Sequence, residues 1–219
     1  MKRIMLPMSL FTAGILLFTS CAQGPSGDKV NSSEASEVAQ AGENGVTYTV
    51  DTEKSVIEWE GAKLTYGHNG LISLSEGAIT MEGDQITAGS FTIDMNSLVC
   101  LDIEDSDKNA QLVGHLLSAD FFEAETYPYA KFDITGAEKV ADNMYTISGN
   151  LTMKEISREI QFQAEVVSDG EMFSSTTPQF VIDRSEWNVR FGSTSFFDDL
   201  KDDFIKNEIG LVVKLVARK

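Results

Sequence analysis

From Gln85 to Phe132 the chain writes a strand, an acidic loop, a helix and a second strand, and that succession limits what the whole can become. Phe91, Ile93 and Met95 alternate with Thr92, Asp94 and Asn96, the period of two that belongs to a sheet with one dry face. Beyond the acidic loop, Asp105 or Ser106 can cap a helix over about Asp107 to Leu117. An acidic first turn supports it, and Leu112, Val113 and Leu116 fall at helical spacing. An apolar knot of Leu116, Leu117, Phe121 and Phe122 follows. Tyr127-Pro128 then leads into a strand where Ala130, Phe132 and Ile134 alternate with Lys131, Asp133 and Thr135. One helix among strands cannot supply βαβ crossovers. It is expected to close something, as the plug or side wall of an antiparallel barrel.

The remaining segments repeat the pattern. Ile57, Trp59, Gly61 and Lys63 share one face, with Glu58 and Glu60 on the other. Tyr66 to Gly70 reads as a turn, and Gly77 suggests a bulge between Ile72/Leu74 and Ile79/Met81. Tyr145, Ile147, Gly149, Leu151 and Met153 run in step. After a turn at Lys154 to Ser157 come Ile160, Phe162, Ala164 and Val166, which makes a hairpin. Phe180, Ile182 and Arg184 share a parity, Ser193 to Asp203 reads as a loop or single helical turn, and Ile209 to Ala217 alternate in a last strand. The expected fold is all-β: one domain over 46–219, an extended antiparallel barrel of about eight strands with one short inserted helix.

The first 45 residues do not fit that domain. Lys2 and Arg3 precede an apolar run from Met8 to Phe18, and Ser20-Cys21 ends it, so 1–20 reads as a secretory signal with Cys21 as the lipidated residue. Ordinary secretion with an incidental Cys21 is the alternative. Residues 22–45, rich in Gly, Ser, Ala and Glu, are expected to be a flexible tether spanning about 25–30 Å. Losing Lys2 and Arg3 from the 17 basic residues leaves 15 against 34 acidic ones, a formal net charge of −19. Such a body excludes nucleic acid and anionic membrane surfaces as partners, and its contact with a membrane would run through the anchor alone. Cys100 would then be the only thiol left, and it reads as a small buried hydrophobe.

The inward parity collects Trp59, Phe91, Ile93, Met95, Phe132, Tyr145, Ile147, Phe162 and Phe180, with Leu116 from the helix. A barrel of this size is either filled by side chains or holds one slender ligand, and Gly61 and Gly149 on the same parity suggest room. Lys63 and Arg184 also fall inward. Each either pairs with a carboxylate (Asp94 or Asp183 for Arg184) or meets a polar head group at the pocket mouth. The two histidines, His68 and His115, have no metal-ligand spacing, and no G-x-S-x-G or phosphate loop occurs. Neither a catalytic residue, a cofactor nor a metal is expected.

Six segments taken in order resemble the YceI-like family. They are W-E-G-A-K-L…G-H-N-G from Trp59 to Gly70, G-S-F-T-I-D-M-N-S-L from Gly89, H-L-L-S-A-D-F-F from His115, Y-P-Y-A-K-F from Tyr127, G-N-L-T-M-K from Gly149 and F-V-I-D-R-S-E-W from Phe180. The resemblance spans Val46 to Ala217. It implies a lipocalin-like barrel that binds a polyisoprenoid or another long-chain lipid, a bacterial envelope location facing the periplasm or outer membrane, and a homodimer. Glu155 stands where the family commonly has Gly, and the loop Cys100 to Asp107 is unusually acidic. A membrane-tethered lipid carrier or scavenger is therefore the leading expectation. A structural or protein-interaction lipoprotein with a filled barrel is second, and a small-molecule hydrolase third.

Overall fold

The computed structural model describes residues 24–219. The signal segment 1–20 and Cys21 lie outside the described residues. Twelve strands, β1 (Asp28–Lys29), β2 (Ser33–Glu34), β3 (Val46–Val50), β4 (Val56–Lys63), β5 (Gly67–Glu82), β6 (Gln85–Cys100), β7 (Tyr129–Lys139), β8 (Met144–Met153), β9 (Ile156–Ser168), β10 (Met172–Thr176), β11 (Phe180–Asp183) and β12 (Ile205–Arg218), join in one sheet. Its helix α1 spans Ser106–Leu117, with Asp105 as the N-cap accepting from the Asp107 and Lys108 amides.

Eight strands close a ring: β4, β5, β6, β7, β8, β9, β10 and β12 pair antiparallel in that order, and β12 returns to β4. The expected barrel is the observed one, and closure removes the open edges that a free sheet would expose. Alternation puts Ile57, Leu74, Phe91, Ile93, Ile134, Ile147 and Ile160 inside, all buried. The parity of β5 switches from Ile72 and Leu74 to Ile79 and Met81. A bulge makes the switch: Leu74 pairs with Ile93 and Glu76 with Thr92, which leaves Ser75 as the extra residue, two positions before Gly77.

Two local expectations change. Gly67 to Gly70 are not a turn but the start of β5, paired with Ala62 to Trp59 of β4. A Cβ at Gly70 would stand 1.8 Å from the Val99 carbonyl oxygen and 2.7 Å from the Trp59 indole, so glycine admits both the neighbouring strand and that ring. The hairpin turn is Lys154-Glu155 alone. Both residues have positive φ (47° and 62°), the backbone of a two-residue turn that normally favours Asn and Gly.

The third change is larger. The segment expected as a free tether lies along the outside of the sheet. β11 and β10 share one edge of β12, and β11 is not hydrogen-bonded to β9. Strand β1 pairs with β11 and β2 with β9, so residues 28–34 bridge this split from outside. Val30 donates its amide to Val181 and packs against the core. Farther on, the Asn150 amide holds both backbone groups of Ser36, and Ala39 donates to the Ile134 carbonyl. Composition suggested a coil because the segment lacks an apolar period; its order comes from backbone groups satisfied by strand edges.

Candidate functional site

Inside the ring are two chambers that share Ile57, Ile93, Leu151 and Leu211 in their walls. The inner one, about 100 Å³, is apolar apart from Ser175 and Thr177. Phe91, Phe132, Phe162 and Phe180 cross it in sequence, with ring centres 6.5, 5.5 and 4.6 Å apart. The last pair is stacked at an interplanar angle of 4° and joins β9 to β11, closing from inside the split that residues 28–34 cover from outside. Offset or edge-on aromatic pairs contribute about 0.5–1.5 kcal/mol beyond burial.

The outer chamber is about 310 Å³. Of the residues expected to meet a ligand, Trp59, Lys63, Ile93, Met95, Leu116 and Arg184 border it. The helix is a side wall rather than a plug: Leu112, His115 and Leu116 face the chamber, while none of its residues is fully buried. The segment after it adds Phe121 and Phe122. Lys154 at the hairpin turn fixes that segment, donating to the Phe121 carbonyl at 3.0 Å and pairing with Glu123 at 3.5 Å. Phe191, from the loop after β11, stacks edge-on against His115 at 4.7 Å and completes the rim. Sequence reasoning missed Phe121 and Phe191 as lining residues. Phe121 stood in a recognised apolar knot, but Phe191 lies in a loop with no period to reveal it.

Tyr145 borders neither chamber. It is 3% exposed and donates its hydroxyl to the Asp84 carbonyl at 2.6 Å, so it seals the ring where β5 turns into β6. The remaining expected residues, Phe91, Phe132, Ile147, Phe162 and Phe180, all line the inner chamber.

The two inward cations differ. Arg184 opens a short 3₁₀ turn (Arg184–Trp187) and is 2% exposed. It meets neither Asp94 nor Asp183 as an ion pair. Instead its guanidinium donates to four carbonyls: Val189 at 2.7 Å, Phe191 at 2.8 Å, and Ile205 and Lys206 at 3.2 Å. Burial pushes its pKa down to about 10, opposed by the neighbouring charge of Asp183, so it stays protonated at neutral pH. Arg184 is thus a clamp that binds the rim loop to β12. Lys63 is half-buried, has no carboxylate in salt-bridge range among the described residues, and lies 5.9 Å from the Tyr66 ring centre. Gly61 borders the same space with nothing within 4 Å of where its Cβ would stand.

At the rim, His68 Nδ1 lies 2.9 Å from Asp102, and the buried Cys100 thiol donates to the same carboxylate at 3.2 Å. Burial, and then the Asp102 carboxylate, push the thiol pKa up. Asp102 itself is raised by burial but held below the usual range overall by the Asn69 amide, His68 and Cys100. His115 pairs instead with Asp120 at 3.1 Å. The two histidines therefore do not share a partner.

Against known proteins, a profile of the YceI-like domain matches residues 48–217. A UPF0312 protein of Pseudomonas putida is 24% identical over 127 residues, covering 57% of this chain and 64% of that protein. Protein YceI of Escherichia coli is 30% identical over 90 residues, covering 38% and 47%. The chain thus spans less than two thirds of the curated relatives it matches. Among solved structures, BcnA of Burkholderia cenocepacia superposes with a TM-score of 0.61 at 23% identity, covering 77% of this chain and 99% of that one. A polyisoprenoid binding domain from Saccharophagus degradans, implicated in plant cell wall breakdown, gives 0.57 at 14% identity over 83% and 99%. Both show the same fold.

Proposed function

The chain belongs to the YceI-like family, and on that premise we propose that it binds an isoprenoid or related long-chain amphiphile in the outer chamber. The observation that carries this reading is a ring interior left open over about 310 Å³, walled by apolar side chains and bordered by Lys63, which has no carboxylate in salt-bridge range among the described residues. That volume stands at the lower end of ligand pockets, about 300–1,000 Å³. A tail would be held by burial, about 25 cal/mol per Å² of apolar surface. A longer chain would have to pass Ile57, Ile93, Leu151 and Leu211, which the two chambers share, to reach the inner one. Lys63 is the group placed to meet a polar or anionic head, since the Arg184 donors are occupied by carbonyls. The Saccharophagus degradans polyisoprenoid binding domain, which shares this fold, supports the ligand class.

The role proposed is binding without catalysis, as a carrier or scavenger held at a bacterial envelope membrane through lipidated Cys21. Native mass spectrometry of the full chain carrying Cys21→Ser, purified without detergent and followed by solvent extraction, tests the first half. A stoichiometric long-chain lipid that leaves only on denaturation is expected. A clean apo mass with no uptake from a panel of isoprenoids and fatty amides would sink it. Fractionation of cells carrying Cys21→Ser tests the second half: the variant should leave the membrane fraction while the parent remains there.

A further inference from the structure

The sequence spacing gave no metal signature because the relevant residues meet across a strand pair, not along the chain. Gly70 pairs with Cys100, and the ladder runs on through the Leu101 amide bonded to the Asn69 carbonyl. That register brings His68 opposite Asp102, with Cys100 two residues before it on the same face. The result is an imidazole nitrogen, a thiol sulfur and a carboxylate oxygen, all within 4.8 Å of one another. We propose that His68, Cys100 and Asp102 form a Zn²⁺ site at the rim of the outer chamber. This inference does not depend on the lipid-binding reading.

The donor set is one that zinc accepts, and zinc-ligand bonds of about 2.0–2.3 Å place tetrahedral ligand atoms about 3.3–3.8 Å apart. The present His68–Asp102 and Cys100–Asp102 separations of 2.9 and 3.2 Å need only small side-chain movements to admit an ion. The supports around the ligands are in place. The Asn69 amide donates to Asp102 Oδ1 at 3.0 Å and fixes the carboxylate. Asn109, reaching back from α1, donates to the Cys100 and Ile103 carbonyls at 2.9 and 3.0 Å and pins the loop between strand and helix. Such outer partners orient ligands and raise affinity. Cys100 lies buried while the side chains of His68 and Asp102 are 27% and 30% exposed, so one side of the cluster is open to an arriving ion. On binding, the ion takes the place of the thiol proton, which leaves to solvent; Nδ1 of a neutral His68 coordinates while its proton resides on Nε2. Three protein ligands leave a fourth position for water.

The test uses the full chain, stripped with chelator and kept reduced with a non-thiol reductant. Titration with Zn²⁺ should give one tight ion per chain. Co²⁺ in its place should produce a near-ultraviolet sulfur-to-metal charge-transfer band that persists in Cys21→Ser and vanishes in Cys100→Ser. His68→Gln should weaken Zn²⁺ binding by about 100-fold. Circular dichroism of each variant checks that the sheet is intact. Metal uptake without a thiolate band, or affinity unchanged in both Cys100→Ser and His68→Gln, would overturn the proposal and assign the ions to the acidic surface.

Discussion

The two chambers are built by the same strands with the same alternation, yet one is narrowed to about 100 Å³ and the other opens to about 310 Å³. Their difference comes from what stands beside each inward glycine. At Gly149 a Cβ would overlap the Phe132 ring, so the missing side chain makes space that an aromatic already occupies. At Gly61 nothing lies within 4 Å, and the space belongs to the chamber. An inward glycine therefore marks room only when no large neighbour from the next strand can reach it. The second difference is the wall. Four phenylalanines span the inner chamber, whereas the outer one borrows its wall from a helix and two loops tied down by Lys154 and Arg184.

The largest effect is expected from breaking the outer wall. Arg184→Met takes the donor from the carbonyls of Val189, Phe191, Ile205 and Lys206, and should cost about 3–5 kcal/mol in urea denaturation. A loss below 1 kcal/mol would mean that the clamp is not structural. The paired glycines come next. Gly149→Ala overpacks against Phe132 and should cost about 1–3 kcal/mol. Gly61→Ala should leave stability unchanged or raise it by about 0.5 kcal/mol, since glycine is a poor strand residue. Equal costs at the two positions would erase the distinction between the chambers. Phe162→Leu removes one ring of the stack that crosses the inner chamber and frees space there. It should cost about 1 kcal/mol and shift the bound-lipid profile towards longer chains, read by extraction and mass spectrometry. An unchanged chain-length distribution would confine ligand to the outer chamber. A further small effect lies at the hairpin beside the Lys154 clamp. Glu155→Gly relieves a positive φ and should stabilise by about 0.5–1 kcal/mol.

Much of this architecture was legible early. Period-two alternation gave the strands and their inward faces, and the Asp105 cap with its acidic first turn gave the helix to within a residue. Eleven of the twelve residues expected in the pocket border one chamber or the other; Tyr145 does not. Its parity is inward, but parity carries no information about height along the barrel. Arg184 misled for a related reason. Its parity continued that of Phe180 and Ile182, yet the strand ends at Asp183, where the chain tightens into a 3₁₀ turn and aims the guanidinium at carbonyls. The strap over the split was hidden because its contacts are made by the backbone, which every sequence supplies alike.

By itself, then, the sequence determined a closed antiparallel ring with one lateral helix, because burial of alternate residues is a local rule that each strand carries within it. It also determined a strongly acidic body. Only the tertiary structure decided which inward positions are empty, that Arg184 serves the loop rather than a head group, that residues 28–34 seal β9 to β11, and that His68, Cys100 and Asp102 meet. Each of these depends on registers and heights between segments far apart in the chain, and those are fixed only when the ring closes.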